Sequence, residues 1–245
     1  MKQACVRWIL VLSLFGTASL AQPVCAKEPQ NTATTPAIKD KGKFLESHEA
    51  INKRIAQGNV DLIFVGDSIT AGWANGGKAT WEKYYAPRHA ANLGIGGDRT
   101  QHVLWRLDNG NVEGIKPKLA VVMIGTNNSN RQDNTAEEIG AGIEAIVKKL
   151  QEKLPETKIL IMAIFPRNET PNAQREKNAK ASEIASKLAD NKQVFYLDIG
   201  EKFLQPDGTL PREIMPDFLH PNAKGYEIWA EAIEPEVATL MGEKK

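Results

Sequence analysis

Asp61-Leu62-Ile63-Phe64-Val65-Gly66-Asp67-Ser68-Ile69-Thr70 passes from an unbroken apolar run into a glycine, an acid and a serine. A continuous run of large apolar residues suits a strand covered on both faces, because neither side of its pleat meets water. Similar runs recur at Ala90-Ala91-Asn92-Leu93, Leu119-Ala120-Val121-Val122-Met123-Ile124, Ile159-Leu160-Ile161-Met162-Ala163 and Val194-Phe195-Tyr196-Leu197. Amphipathic helical patterns lie between them. The clearest starts at Thr135, with Glu138 three residues on as a capping box, and carries Ile139, Ile143, Ile146, Val147 and Leu150 at helical spacing. The last begins near Pro221, a favoured first-turn residue, and its apolar stripe is Tyr226, Trp229, Ile233, Val237 and Leu240. This alternation predicts an α/β fold, a three-layer α/β/α sandwich around a five-stranded parallel sheet. In such sheets ligands bind beyond the carboxyl ends of the strands, so the informative residues should follow each strand directly.

The whole chain fits that expectation. Its 245 residues are 42% hydrophobic, which suits one globular domain with a substantial core. Lys and Arg number 31 against 30 Asp and Glu, a net charge of +1. No nucleic-acid partner is expected, since that needs a strong basic excess, and a neutral or weakly charged substrate is the default. Residues 1–7 carry Lys2 and Arg7 and no acid, residues 8–15 are apolar, and small residues follow. This reads as a signal peptide over 1–26, cleaved after Ala21 or Ala26, with an uncleaved anchor as the competing reading. It implies a secreted or periplasmic protein, without stable membrane insertion after cleavage. Residues 27–42, rich in Thr, Pro and Lys, read as a flexible linker, and 43–245 as the folded domain. The two cysteines, Cys5 and Cys25, both precede that domain, so it has neither a disulfide nor a Cys-ligated metal.

Four blocks carry chemistry. Ser68 in Gly66-Asp67-Ser68-Ile69-Thr70 is either a nucleophile at a strand-to-helix turn or a helix N-cap. Asp67 is expected to organise that turn or to act as an ordinary capping acid. Gly94-Ile95-Gly96-Gly97-Asp98 is a tight loop or a phosphate cradle, though Gly-x-Gly-Gly differs from the dinucleotide pattern. Gly125-Thr126-Asn127-Asn128 offers the Asn127 amide to an oxyanion, or is an Asx turn. In Asp217-Phe218-Leu219-His220, a three-residue spacing on a turn brings a carboxylate beside its own imidazole, where it fixes the tautomer; otherwise His220 is a helix cap. Together the blocks supply a nucleophile, oxyanion donors, a base and an orienting acid. Trp73 either lines the substrate pocket or packs. His102, Trp105 and Arg106 are read as structural.

These blocks, in this order, resemble those of the SGNH (GDSL-like) hydrolases. The resemblance implies a flavodoxin-like sheet and a catalytic set of Ser68, Asp217 and His220. It further implies an oxyanion hole from the Ser68 and Gly97 N–H groups and the Asn127 amide, and no metal or other cofactor. The stretches Gly94 to Asp98, His102 to Leu107, Ile115-Lys116-Pro117-Lys118 and Arg175-Glu176-Lys177 resemble the platelet-activating factor acetylhydrolase catalytic subunits. Two features depart from that branch: the export signal, and a longer, more polar loop over 71–80. They favour acetyl esters on carbohydrate as substrate. A phospholipid or general short-chain acylhydrolase, an acyltransferase and a non-catalytic glycan-binding module are the alternatives, and a homodimer is compatible with all of them.

Overall fold

The computed structural model describes residues 31–39, 42–130 and 133–243. The signal peptide expected over 1–26 lies outside them. Five parallel strands form one sheet: β1 (Leu62–Gly66), β2 (Ala90–Gly94), β3 (Leu119–Met123), β4 (Lys158–Met162) and β5 (Val194–Leu197), in the order β2-β1-β3-β4-β5. This is the doubly wound, flavodoxin-like order. The helices are α1 (Lys43–Ala56), α2 (Ser68–Ala71), α3 (Lys78–Tyr84), α4 (Thr100–Asp108), α5 (Ala136–Lys153), α6 (Ala173–Ser186) and α7 (Ala223–Met241).

Strand side chains alternate between two cores, because successive Cβ atoms leave opposite faces of a pleat. Ile63 and Val65 join Val103, Leu107, Ile143 and Leu150 on one face. Leu62 and Phe64 join Trp73, Tyr85, Trp229 and Ile233 on the other. The expected stripes of α5 and α7 are buried throughout. The capping box of α5 is present, with the Glu138 N–H donating to Thr135 Oγ1 at 3.2 Å and the Thr135 N–H to Glu138 Oε2 at 2.9 Å. The last helix begins two residues later than Pro221, because the Asn222 side chain accepts the Gly225 N–H and serves as its N-cap.

Trp73 packs in the core. It is 1% exposed, with ring centroids 4.5 Å from Tyr226 and 4.8 Å from Trp229. The loop over 71–80 is a 3-10 turn leading into α3. Its glycines serve close approach: a Cβ on Gly72 would lie 1.9 Å from Tyr226 Oη, and one on Gly77 2.5 Å from the Trp73 ring. Trp105 is partly covered by Phe44 and His48 of α1, at ring separations of 5.8 and 5.0 Å.

The flexible linker expected over 27–42 needs correction. Residues 31–39 lie packed on the domain beside α4 and the start of α5. Ala33 is fully buried in a short 3-10 turn, and its carbonyl accepts from Thr100 Oγ1 at 2.7 Å. The Ala37 N–H donates to the Gln101 carbonyl at 3.1 Å. Asn134 Nδ2 donates to Thr32 Oγ1 at 3.1 Å. Hydrogen bonds hold this arm where large apolar side chains are missing. Among the described residues no helix is long and apolar enough to cross a membrane.

Candidate active site

The turn that carries Ser68 is built by exclusion of side chains. β1 ends at Gly66, where a Cβ would sit 2.1 Å from Thr70 Oγ1 and 2.5 Å from the Met123 carbonyl. The chain therefore turns tightly into α2, whose first residue is Ser68. Asp67 caps it, its Oδ1 accepting the Ile69 N–H at 3.0 Å, and Tyr226 Oη of α7 donates to the Ile69 carbonyl at 2.6 Å. Asp67 is 1% exposed. Burial pushes its carboxyl up to about 7 against the pull of the Ile69 N–H, and nearby Asp98 pushes the same way.

Ser68 Oγ lies 2.8 Å from His220 Nε2, and His220 Nδ1 lies 2.6 Å from Asp217 Oδ2. The other carboxylate oxygen of Asp217 accepts the N–H groups of His220 at 2.8 Å and Leu219 at 3.1 Å. One short turn thus holds the carboxylate against both the backbone and the ring of the same histidine. Burial alone would raise the Asp217 carboxyl, but its hydrogen bonds from His220 and Leu219 and the nearby imidazole together hold it below its ordinary value. Phe218 takes a left-handed φ of 58° inside this turn. Its carbonyl accepts the Asn168 N–H at 2.8 Å, and the Arg212 guanidinium covers its ring at 4.2 Å. Ser68 and His220 are part-exposed, so the relay opens to solvent on one side.

Two loops flank it. Gly66 pairs with Gly94 of β2 and Met123 of β3, so the segments after β2, β1 and β3 leave the sheet side by side. Gly97, after β2, has φ 72° and is exposed. Asn127, after β3, donates one amide hydrogen to the Asp98 carbonyl at 2.9 Å, which binds the two loops together. Among the described residues its second amide hydrogen makes no bond. The structure thus gathers Ser68, Asp217 and His220 into one relay and sets the Gly97 and Asn127 loops beside it.

Three contributions to the site had no sequence signal: the hold of Arg106 on the Gly97 loop, Lys39 and Arg167. Arg106 is fully buried, and its Nε donates to Asp98 Oδ2 at 2.8 Å, so its structural role also fixes the loop that carries Gly97. Lys39, in the packed arm, donates to the Gly96 carbonyl at 2.5 Å and lies against the open face of Gly97. Arg167 follows β4 and donates to the Thr126 carbonyl at 3.0 Å. The strand-end rule pointed to the place where Arg167 stands, but Phe165-Pro166-Arg167 carries no recognisable spacing.

Residues 64–228 match the GDSL-like Lipase/Acylhydrolase family. Platelet-activating factor acetylhydrolase IB subunit alpha2 of Rattus norvegicus is 42% identical over 187 residues, covering 75% of this chain and 78% of the relative. The alpha1 subunit of Homo sapiens is 34% identical over 219 residues, covering 87% and 93%. Two solved structures share the fold. A carbohydrate acetylesterase from Sinorhizobium meliloti has a TM-score of 0.59 at 20% identity, over 74% of this chain and all of its own. A catalytic mutant of an acetylxylan esterase from Geobacillus stearothermophilus has a TM-score of 0.57 at 19% identity, over 76% and 96%. With the family match spanning most of the domain and relatives above 30% identity covering three quarters of the chain or more, this chain belongs to the GDSL-like lipase/acylhydrolase family.

Proposed function

We propose that the protein is a serine esterase that removes short acyl groups, acetyl above all, from carbohydrate through an acyl-enzyme on Ser68. The observation that carries this reading is the unbroken relay from Ser68 Oγ through His220 to Asp217, at 2.8 and 2.6 Å. His220 Nε2 takes the hydroxyl proton as Ser68 Oγ attacks the ester carbonyl. The tetrahedral oxyanion is received by the Ser68 and Gly97 N–H groups and the Asn127 amide. Collapse breaks the ester C–O bond, and the proton on His220 goes to the departing alkoxide. Water, deprotonated by the same imidazole, then releases the acid. Asp217 holds the ring in the tautomer with hydrogen on Nδ1 and stabilises the imidazolium.

Asn127→Ala is expected to lower kcat by about 10²–10³-fold with KM little changed, since an oxyanion donor acts mainly in the transition state. An unchanged kcat would remove Asn127 from the mechanism.

The carbohydrate part of the proposal is supported by the two acetylesterase structures of the same fold and by a relay that opens to solvent. A second reading, acetyl release from a phospholipid, is favoured by the 34–42% identity to platelet-activating factor acetylhydrolase subunits. Acetate release from acetylated oligosaccharide and from acetylated phospholipid, compared on one preparation, decides between them. The glycan is expected to show the higher kcat/KM, and the reverse order would select the phospholipid. Export belongs to the same proposal, on the strength of Lys2, Arg7 and the apolar run over 8–15. Sequencing the N-terminus of the protein recovered from cells checks it.

A further inference from the structure

Arg167 holds a positive charge beside the relay, and part of its guanidinium has no counterpart in the protein. Its Nη1 donates to the Thr126 carbonyl at 3.0 Å, to Thr126 Oγ1 at 3.2 Å and to Asn130 Oδ1 at 3.0 Å. Its Nε is buried without a hydrogen-bond partner. Among the described residues Nη2 donates to nothing, and the guanidinium forms no ion pair. Asp67 and Asp217 act on it only at longer range. Nη2 is unbonded and, unlike Nε, is not buried, so it is the nitrogen left to donate to a carboxylate or phosphate.

The group is also held in place. Arg175 Nε donates to the Arg167 carbonyl at 2.9 Å, and the next residue, Asn168, donates its N–H to the Phe218 carbonyl at 2.8 Å. Phe218 lies between Asp217 and His220 in the relay turn, so Arg167 borders that turn on one side and the Thr126-Asn127 turn on the other. β4 lies two strands from β1 in the sheet, roughly 10 Å at ordinary strand spacing. A half-buried cation without a direct ion pair is costly to keep unless something neutralises it.

We propose that Arg167 is a specificity-determining residue whose unbonded Nη2 receives an anionic group, carboxylate or phosphate, on the alcohol part of the ester that Ser68 attacks. This rests on the serine-esterase reading above and narrows its substrate class. The near-zero net charge of the chain pointed to a neutral substrate; the unbonded Nη2 of Arg167 points to an acidic one. The anion has two sources: an acetylated acidic sugar, or an acetylated alcohol bearing phosphate.

The test uses two matched pairs of acetate esters: an acetylated uronic acid glycoside with its neutral hexose analogue, and acetylglycerol phosphate with acetylglycerol. In the wild-type protein at least one acidic member is expected to exceed its neutral partner in kcat/KM by about tenfold to a hundredfold, chiefly through KM. The pair with the larger ratio identifies the source. Arg167→Gln is expected to bring that ratio close to one, whatever loss the two members share. Arg167→Lys keeps part of it, since the charge remains and the planar guanidinium is gone. Two results overturn the proposal: a wild-type ratio near one in both pairs, or a ratio unchanged in Arg167→Gln, which would leave Arg167 only the task of holding the Thr126 turn. If Arg167→Gln does not fold, wild-type protein decides. Inorganic phosphate must then inhibit competitively, and added salt must raise KM for the acidic members only; failure of either overturns the assignment. A protein that hydrolyses none of the four esters, nor p-nitrophenyl acetate, fails the esterase reading itself, whereas turnover without charge preference fails only this one.

Discussion

Ser68→Ala is expected to reduce turnover of p-nitrophenyl acetate by about 10⁴–10⁶-fold while leaving the fold intact. The Ser68 hydroxyl faces His220 Nε2 at 2.8 Å, and without it the imidazole has no nucleophile to activate. The turn itself does not depend on that hydroxyl. Asp67 still caps the Ile69 N–H, and Tyr226 still holds the Ile69 carbonyl. His220→Ala should cost a similar factor, and the double variant little more than either alone, because the pair acts as a unit. Asp217→Asn should reduce kcat by a smaller but still large factor, since the amide supports the wrong imidazole tautomer. A serine-directed organophosphate should label the wild-type protein once and Ser68→Ala not at all. Wild-type turnover by Ser68→Ala would end the proposed mechanism, and labelling that persisted would place the nucleophile elsewhere.

What the sequence discloses follows from which forces leave a pattern in it. The five strands were legible because burial on both faces demands runs such as Leu62 to Val65 and Leu119 to Ile124. The candidate site was legible because a parallel sheet brings its strand ends to one edge. Residues as far apart as Ser68 and His220 become neighbours there, and the local turn Asp217 to His220 needs only three residues. The arm over 31–39 was read as linker because it docks through backbone carbonyls and threonine hydroxyls, which leave no apolar period. Trp73 stayed ambiguous because its packing depends on Gly72 and Gly77 admitting Tyr226 and Trp73 at close range. Arg106 and Arg167 were passed over as functional elements for a common reason: each works through partners distant in sequence or by lacking one, and spacing records neither.

Arg106→Met is expected to destabilise the fold by about 3–5 kcal/mol near pH 8, and by much less near pH 5. The guanidinium is fully buried, bonded through Nε to Asp98 and through Nη1 to Asn111, with a long Nη2 contact of 3.4 Å to the Gly66 carbonyl. Asn111 extends the network to His48 Nδ1 at 3.1 Å and to Asn52 at 2.6 Å. Methionine fills much of the volume but leaves Asp98, itself fully buried, without its cation. An uncompensated buried charge costs about that much, a large share of the roughly 5–15 kcal/mol that holds a domain together. Burial already pushes the Asp98 carboxyl up to about 6 from 3.8, against the pull of Arg106, so removing Arg106 raises it further. A carboxyl raised in the folded state favours folding below its unfolded value, and that advantage is lost as pH rises through the folded value. The deficit of Arg106→Met should therefore be small near pH 4–5, grow through pH 6 and level off above the new, higher value. Urea unfolding of wild type and variant at pH 5 and pH 8 measures it. Adding Asp98→Asn to Arg106→Met should recover most of the loss at pH 8, because no buried charge then remains. A deficit equal at both pH values, or unrelieved in the double variant, would mean that lost packing outweighs charge here. The pH-dependent result would show that charge holds the Asp98–Arg106 pair, which joins the loop of Gly97 to the end of β1 next to the oxyanion site proposed above.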